Sequence, residues 1–195
     1  MAIQDYMKAQ KLAEKQYRQA VTHGSYPYLP VLEDILRQSE IEGQIPVGQF
    51  EIPISLIAGT VNTERTTAFA SNFMPLLGVE TEFGSKWSAL CDSVQEVGVN
   101  DPITVFEYMQ RFYVAEGNKR VSVSKYHGAV SILAHVTRIL PKATDSVEYK
   151  IYTEFLDFYK VAGLYEIQMS QEGEFPRLLR AVPTDGTMDA PAQWL

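Results

Sequence analysis

Apolar residues recur along the first part of the chain at the spacing of a helix face. Tyr6, Ala9, Ala13, Tyr17 and Ala20 stand three or four apart, which predicts a helix over residues 4–22. His23-Gly24-Ser25 and the prolines Pro27 and Pro30 end it and form a connector. Leu32, Ile35 and Leu36 share one face of a second helix, predicted from Leu32 to about Ser39. After Gly43 and Pro46 the period falls to two. Phe50, Ile52, Ile54 and Leu56 alternate with their neighbours, the pattern of a half-buried strand over residues 48–56. A long loop with some helical content follows over residues 57–84, holding Thr60, Asn62, Thr63, Arg65, Thr66 and Thr67. Loops of that length inside a compact domain are frequently functional.

The helical period returns over residues 85–97, with Ser85 as the predicted N-cap and Trp87, Leu90, Cys91 and Val94 on the apolar face. Gly98 is placed to stop this helix. Strands are predicted over residues 103–107 and 111–115, joined by a tight connection near Tyr108–Gln110. After Gly117 a short helix runs to about His127, Gly128 ends it, and residues 130–138 form another strand. Pro141 breaks the chain. Asp145 or Ser146 then caps a last long helix with Val147, Ile151, Phe155 and Phe158 on its core face. Tyr149, Tyr152, Tyr159 and Tyr165 stand at helical spacing and read as packing rather than as a stacking platform. A short helix is predicted over residues 175–181, and residues 183–195, rich in Pro, Asp, Thr and Gly, are predicted to be disordered. There is no internal repeat. The pattern divides the chain into a helical arm (1–45), a domain (46–140), a helical extension (141–182) and a tail (183–195).

Composition narrows the function classes. Of 195 residues 46% are hydrophobic and 21% charged, an ordinary globular balance that can fill a core. The net charge is −7, so the chain has no general electrostatic pull toward nucleic acid or anionic membrane. Cys91 is the one cysteine, which excludes an internal disulfide and a thiolate metal cluster. On its helix face it reads as a small buried hydrophobe. The N-terminal residues carry Asp5, Lys8, Lys11, Glu14 and Lys15 and lack an apolar stretch of signal-peptide length. No run approaches the ~18 apolar residues of a membrane span. The expectation is a soluble, cytoplasmic protein.

The segment that carries chemistry is Arg111-Phe-Tyr-Val-Ala-Glu-Gly-Asn-Lys-Arg-Val-Ser-Val-Ser-Lys-Tyr-His-Gly128. A strand runs into a glycine and directly into a helix, so Lys119 and Arg120 occupy the first helical turn. Cations are disfavoured there, because the helix N-terminus already carries partial positive charge and free N–H groups. An anion at that place relieves both. Gly117 lets the backbone approach it, amides donate to it, and the Lys119 and Arg120 side chains close around it. The bland alternative is that both cations pair with Glu116 or face water.

The wider context resembles the ParB/sulfiredoxin superfamily. Ser93-Val-Gln-Glu-Val-Gly-Val-Asn-Asp-Pro-Ile-Thr-Val105 is similar to the helix end, glycine turn and strand entry that precede the box of ParB proteins. Tyr113-Val-Ala-Glu-Gly-Asn-Lys-Arg120 resembles the box itself, residues 125–136 the remaining helix and next strand, and Glu51-Ile-Pro-Ile-Ser-Leu-Ile57 the first strand. The resemblance covers about 90 residues in matching order, 49–140. It implies that Gly117, Asn118, Lys119 and Arg120 hold the phosphates of a nucleotide (CTP, ATP or ADP). Arg65, in Thr63-Glu64-Arg65 of the loop after the first strand, and Glu116 are further candidates. The departures also matter. Asn118 stands where sulfiredoxin carries its catalytic cysteine, so sulfinic-acid reduction is not expected. Lys119 replaces the first of the two ParB arginines. No helix-turn-helix is evident after Pro141, so specific DNA reading is not expected. More faintly, Tyr6-Met-Lys-Ala-Gln-Lys-Leu12 and Ser25-Tyr-Pro-Tyr-Leu-Pro-Val-Leu32 resemble the leading region of bacterial proteins in which a ParB-like module precedes other domains.

Other constellations offer less. His23, His127 and His135 are too scattered for a metal site, and His127 suits a helix C-terminus. Glu107 and Glu116 flank one hairpin and are read either as solvated or as carboxylates for Mg²⁺ beside a phosphate. The expected fold is α+β, a small mixed sheet with packed helices and helical extensions at both ends. Three readings stay open. They are a regulatory nucleotide-binding module whose conformation or self-association responds to ligand, a nucleotide-dependent phosphotransferase, ATPase or nuclease, and an interaction module with a decayed phosphate site.

Overall fold

The computed structural model describes residues 2–98 and 101–181; the tail predicted over 183–195 lies outside the described residues. The fold is α+β. Five strands form one mixed sheet: β1 (Ile41–Pro53), β2 (Ile57–Thr60), β3 (Ile103–Tyr108), β4 (Arg111–Glu116) and β5 (Ser131–Pro141). Their order is β1-β5-β3-β4-β2. β1 and β5 are antiparallel, β3 and β5 parallel, β3 and β4 an antiparallel hairpin, and β2 and β4 parallel.

The helices cover the sheet where the apolar period demands it. α1 (Ala2–Thr22) buries Tyr6, Ala9 and Ala13 against Trp87 and Cys91 of α3 (Glu82–Val97), with Tyr6 and Trp87 edge to face at 5.3 Å. α2 (Leu32–Leu36) lays Leu32 on one face of the sheet beside Tyr108, Tyr113 and Ile139. The main core lies on the opposite face. There Ile103, Val105, Phe112, Val114, Ala134 and Val136 meet Val121 of α4 (Asn118–Tyr126) and Tyr152, Phe155 and Phe158 of α5 (Val147–Ala162). Phe175 of α6 (Glu174–Ala181) packs on Phe155 and Phe158. No helix among the described residues is long and apolar enough to cross a membrane.

Several boundaries differ from the sequence pattern. β1 begins at Ile41, inside the stretch assigned to the arm, because it pairs with β5 as far as Ile41 opposite Pro141. That end is exposed at Ile41 and Ile45, so no burial period marks it. Ile54–Leu56 is a 3-10 turn rather than the end of a strand, and the chain then re-enters the sheet as β2. α2 ends at Leu36, short of Ser39. α3 starts before Ser85, because the Thr81 hydroxyl accepts from the Gly84 amide at 3.1 Å and caps it instead. Gly98, at φ +78°, ends it as expected. Ser146 caps α5, its hydroxyl accepting from the Tyr149 amide at 3.2 Å. Val147, expected on the core face of α5, is instead exposed, since the helix reaches the core only a turn later at Ile151.

A buried polar network ties α5 to the sheet. Glu107 is fully buried and paired with Arg138 of β5. The Tyr152 hydroxyl donates to both Glu107 oxygens at 3.0 Å, and the Gln110 amide donates to Oε1 at 2.9 Å. Burial, with the Glu107 carboxylate adding to it, raises the Tyr152 pKa above the usual phenol range, so this hydroxyl stays a donor. Met109 and Gln110 both have positive φ, the geometry of a tight two-residue hairpin turn. Neither is glycine, so the turn costs about 1–2 kcal/mol per residue. The bonds from the Gln110 side chain to the Tyr165 and Ile167 carbonyls offset that cost.

Candidate functional site

The turn between β4 and α4 requires glycine twice over. Gly117 sits at φ +107°, ψ 18° as the N-cap residue of α4. A Cβ on it would lie 2.5 Å from Cγ2 of Ile103 on β3. The predicted junction of strand, glycine and helix is therefore present, with β4 ending at Glu116 and α4 starting at Asn118. The first intrahelical bond runs from the Val121 amide to the Gly117 carbonyl, and no side chain caps the N-terminus. The first turn also contains no acidic residue. Backbone amides without intrahelical partners and two cationic side chains therefore meet at this turn.

Around this turn lies a pocket of about 440 Å³, lined by Ala115, Glu116, Gly117, Asn118, Lys119 and Arg120 on one side and by Asn62, Glu64, Phe69 and Phe83 on the other. The structure thus brings all four residues of the box and Glu116 to one cavity. The volume falls in the ~300–1,000 Å³ range of small-ligand sites. Arg65 sits in the 3-10 turn Thr63–Ala68, directly after the pocket residue Glu64.

Each side chain of the box has a definite environment. The Asn118 amide nitrogen donates to the Thr60 hydroxyl of β2 at 3.3 Å, and that hydroxyl donates to the Val114 carbonyl at 3.0 Å. The Asn118 amide oxygen is buried without a hydrogen-bond partner. The Lys119 ammonium lies 4.7 Å from the centre of the Phe83 ring. Arg120 donates through Nη1 to the carbonyls of Asp101 and Pro102, and its Nη2 lies 3.7 Å from the exposed Glu116 carboxylate. The pocket therefore carries two cations and two carboxylates, and Glu116 is the counter-ion that Arg120 already has.

The suggested pairing of Glu107 with Glu116 does not occur. Glu107 lies near the hairpin turn, opposite Phe112, whereas Glu116 lies at the other end, opposite Thr104. Glu107 is committed to Arg138 and Tyr152. Glu64 is the carboxylate that shares the pocket with Glu116. Among the described residues no group of three His, Cys, Asp or Glu side chains is arranged to hold a metal.

Glu64, Phe69 and Phe83 were given no role by the sequence, and Thr60 was named only among the polar residues of the 57–84 loop. The length of that loop was the available signal for all four, since it marks the segment without saying which residue faces the box. Phe83 was assigned to the loop because its helix was expected to begin after it. Two further groups stand apart from the pocket lining. Cys91 is fully buried, its Sγ 3.2 Å from His127 Nε2, and burial pushes its thiol pKa up to about 11. Lys125, on α4, donates to the Ile57 carbonyl at 3.3 Å and sits over the Phe73 ring at 4.6 Å, and burial lowers its pKa to about 8.

No family model matches the chain. No curated protein matches it either. Among solved structures the chain is similar to the crystal structure of sulfiredoxin from Arabidopsis thaliana, at 19% identity over 45% of this chain and 82% of that one, with a TM-score of 0.31.

Proposed function

We propose that the N-terminus of α4 binds a phosphate group of a small ligand, nucleotides first, and that the chain is a regulatory binding module. The observation that carries this reading is the convergence of an uncapped helix N-terminus, a close-approach glycine and two cations on one pocket of nucleotide size. The box also resembles the one with which ParB/sulfiredoxin relatives hold nucleotide phosphates. A bound phosphate accepts from the amides of Asn118 and Lys119, takes the place of Glu116 beside the outer nitrogens of Arg120, and gains the Lys119 charge. Arg120 keeps its grip on the Asp101 and Pro102 carbonyls, which pre-orients the guanidinium.

A second reading, phosphoryl transfer or hydrolysis, is favoured by the two carboxylates Glu64 and Glu116 in the same pocket. Against it, the described lining contains no Ser, Thr or Cys to act as nucleophile, so the nucleophile would have to be water and the base Glu64 or Glu116.

The test is a thermal-shift screen with CTP, ATP, GTP, their diphosphates and tripolyphosphate, with and without Mg²⁺. A ligand at a hundred times its Kd stabilises the native state by about 2.7 kcal/mol. For a chain of this size that raises the midpoint by roughly 5–10 °C. No shift with any phosphate compound would leave the interaction-module reading as the better account. Phosphate release on prolonged incubation would favour the enzyme.

A further inference from the structure

The phosphate reading uses one side of the pocket and leaves its aromatic wall without a role. Phe83 is half-buried at the start of α3 and meets Phe69 edge to face at 5.2 Å with an interplanar angle of 73°. Phe69 is fully buried, so it fixes the Phe83 ring from behind. The position of Phe83 is fixed as well. The Thr81 cap that starts α3 early holds Phe83 in the first turn of that helix. Both rings line the pocket that contains the box, and the Lys119 ammonium covers the Phe83 face at 4.7 Å.

We infer that Phe83 is a stacking platform for a planar ring of the ligand, with Lys119 as its exchangeable cover. This deepens the phosphate reading and rests on it. A phosphate at the amides of Asn118 and Lys119 offers the Lys119 ammonium a full counter-charge close to its own backbone. Charge-assisted hydrogen bonds to that phosphate compete with the cation–π contact for the ammonium. Lys119 then leaves the ring for the phosphate and uncovers an apolar face of the right shape for a nucleobase. One residue thus couples the two halves of the ligand, because the ring can stack only when the phosphate has drawn the ammonium away. The ligand class this selects is a nucleoside phosphate, rather than inorganic phosphate, a sugar phosphate or a phosphopeptide. Stacking tolerates any base, so Phe83 supplies the preference for a ring without choosing among the four.

The experiment compares tripolyphosphate with ATP, CTP, GTP and UTP by calorimetric titration, on the wild type and on Phe83→Leu. Leucine keeps an apolar side chain against Phe69 while removing the ring face, and a circular-dichroism melt confirms that the variant is folded. The expected result is that at least one nucleoside triphosphate binds the wild type about tenfold or more tighter than tripolyphosphate. Phe83→Leu should remove that advantage while tripolyphosphate still binds, no more weakly than to wild type, because the ring that competes for the Lys119 ammonium is gone. Equal wild-type affinities for tripolyphosphate and all four nucleotides would overturn the platform while leaving the phosphate site standing. So would a nucleotide advantage that survives Phe83→Leu, which would place the ring elsewhere. Binding of neither class would overturn both readings together.

Discussion

The Asn118 side chain donates to the Thr60 hydroxyl across 3.3 Å and so ties the first residue of α4 to β2. Thr60 is almost fully buried and gives its own proton to the Val114 carbonyl, so Asn118 must be the donor of the pair. The amide oxygen is then left as a buried acceptor without a partner. An unsatisfied buried acceptor costs about 1–3 kcal/mol. The bond also fixes where the helix N-terminus points, because it joins α4 to the strand beside β4.

Gly117→Ala tests how far that junction tolerates a side chain. The φ of +107° is strained for any residue with a Cβ, and the added methyl would collide with Ile103. Strain and overpacking together should lower stability by about 2–4 kcal/mol, read by urea denaturation. A loss below about 0.5 kcal/mol would mean the turn relaxes freely and does not position the helix.

Lys125 makes stability depend on pH in a defined window. Its folded pKa is lowered to about 8 from 10.5, with burial as the cause. Between those values the unfolded chain holds a proton that the folded chain lacks, so raising the pH stabilises the fold. Below about pH 8 both states are protonated and the full penalty of the buried charge applies. Lys125→Met should therefore stabilise the protein at pH 7, by up to about 3 kcal/mol. That gain should shrink as the pH approaches 10.5. Comparing the two proteins at each pH cancels the titration of the tyrosines. A difference that does not change with pH would contradict the assignment.

Glu107→Gln leaves Arg138 without its buried counter-charge and should cost about 3 kcal/mol in chemical denaturation. Glu107→Gln with Arg138→Met should recover part of the loss, because the second change removes the stranded charge. If the single variant is as stable as the wild type, the network does not fasten α5 to the sheet.

Cys91 should react slowly with a thiol reagent in the native protein and rapidly once it is unfolded, because it is buried and its thiol pKa is raised to about 11. Equal rates would show that the contact between α1 and α3 opens readily.

The elements were legible where period and punctuation agreed. The strand–Gly117–helix junction could be read because Phe112 and Val114 alternate, a glycine follows, and a helical run begins at once. The burial of Tyr6, Ala9, Ala13 and Cys91 was legible for the same reason. The start of β1 was not, because its exposed residues 41–46 are held by backbone pairing with β5, which leaves no mark on side-chain type. Nor was Glu107. A carboxylate at the end of a hairpin strand reads as solvated, and its partners Arg138 and Tyr152 are distant in sequence. Of the box, Lys119 and Arg120 were singled out by the conflict between their charge and the helix dipole and Gly117 by its place at the junction, whereas Asn118 came only from the resemblance of the segment. The opposite wall of the pocket, Glu64, Phe69 and Phe83, needed the fold.

The most direct test of the proposed phosphate site is calorimetric titration of the best nucleotide against wild type, Lys119→Gln and Arg120→Ala. A charge-assisted hydrogen bond contributes about 1.5–3 kcal/mol, so each variant should lose about tenfold or more in affinity. Arg120→Ala should also melt at a lower temperature than wild type, since it loses its bonds to the Asp101 and Pro102 carbonyls. Lys119→Gln separates the two effects by removing a charge without those bonds. Loss of affinity in both variants is the predicted result; affinities equal to wild type in both would mean that the α4 N-terminus holds no phosphate.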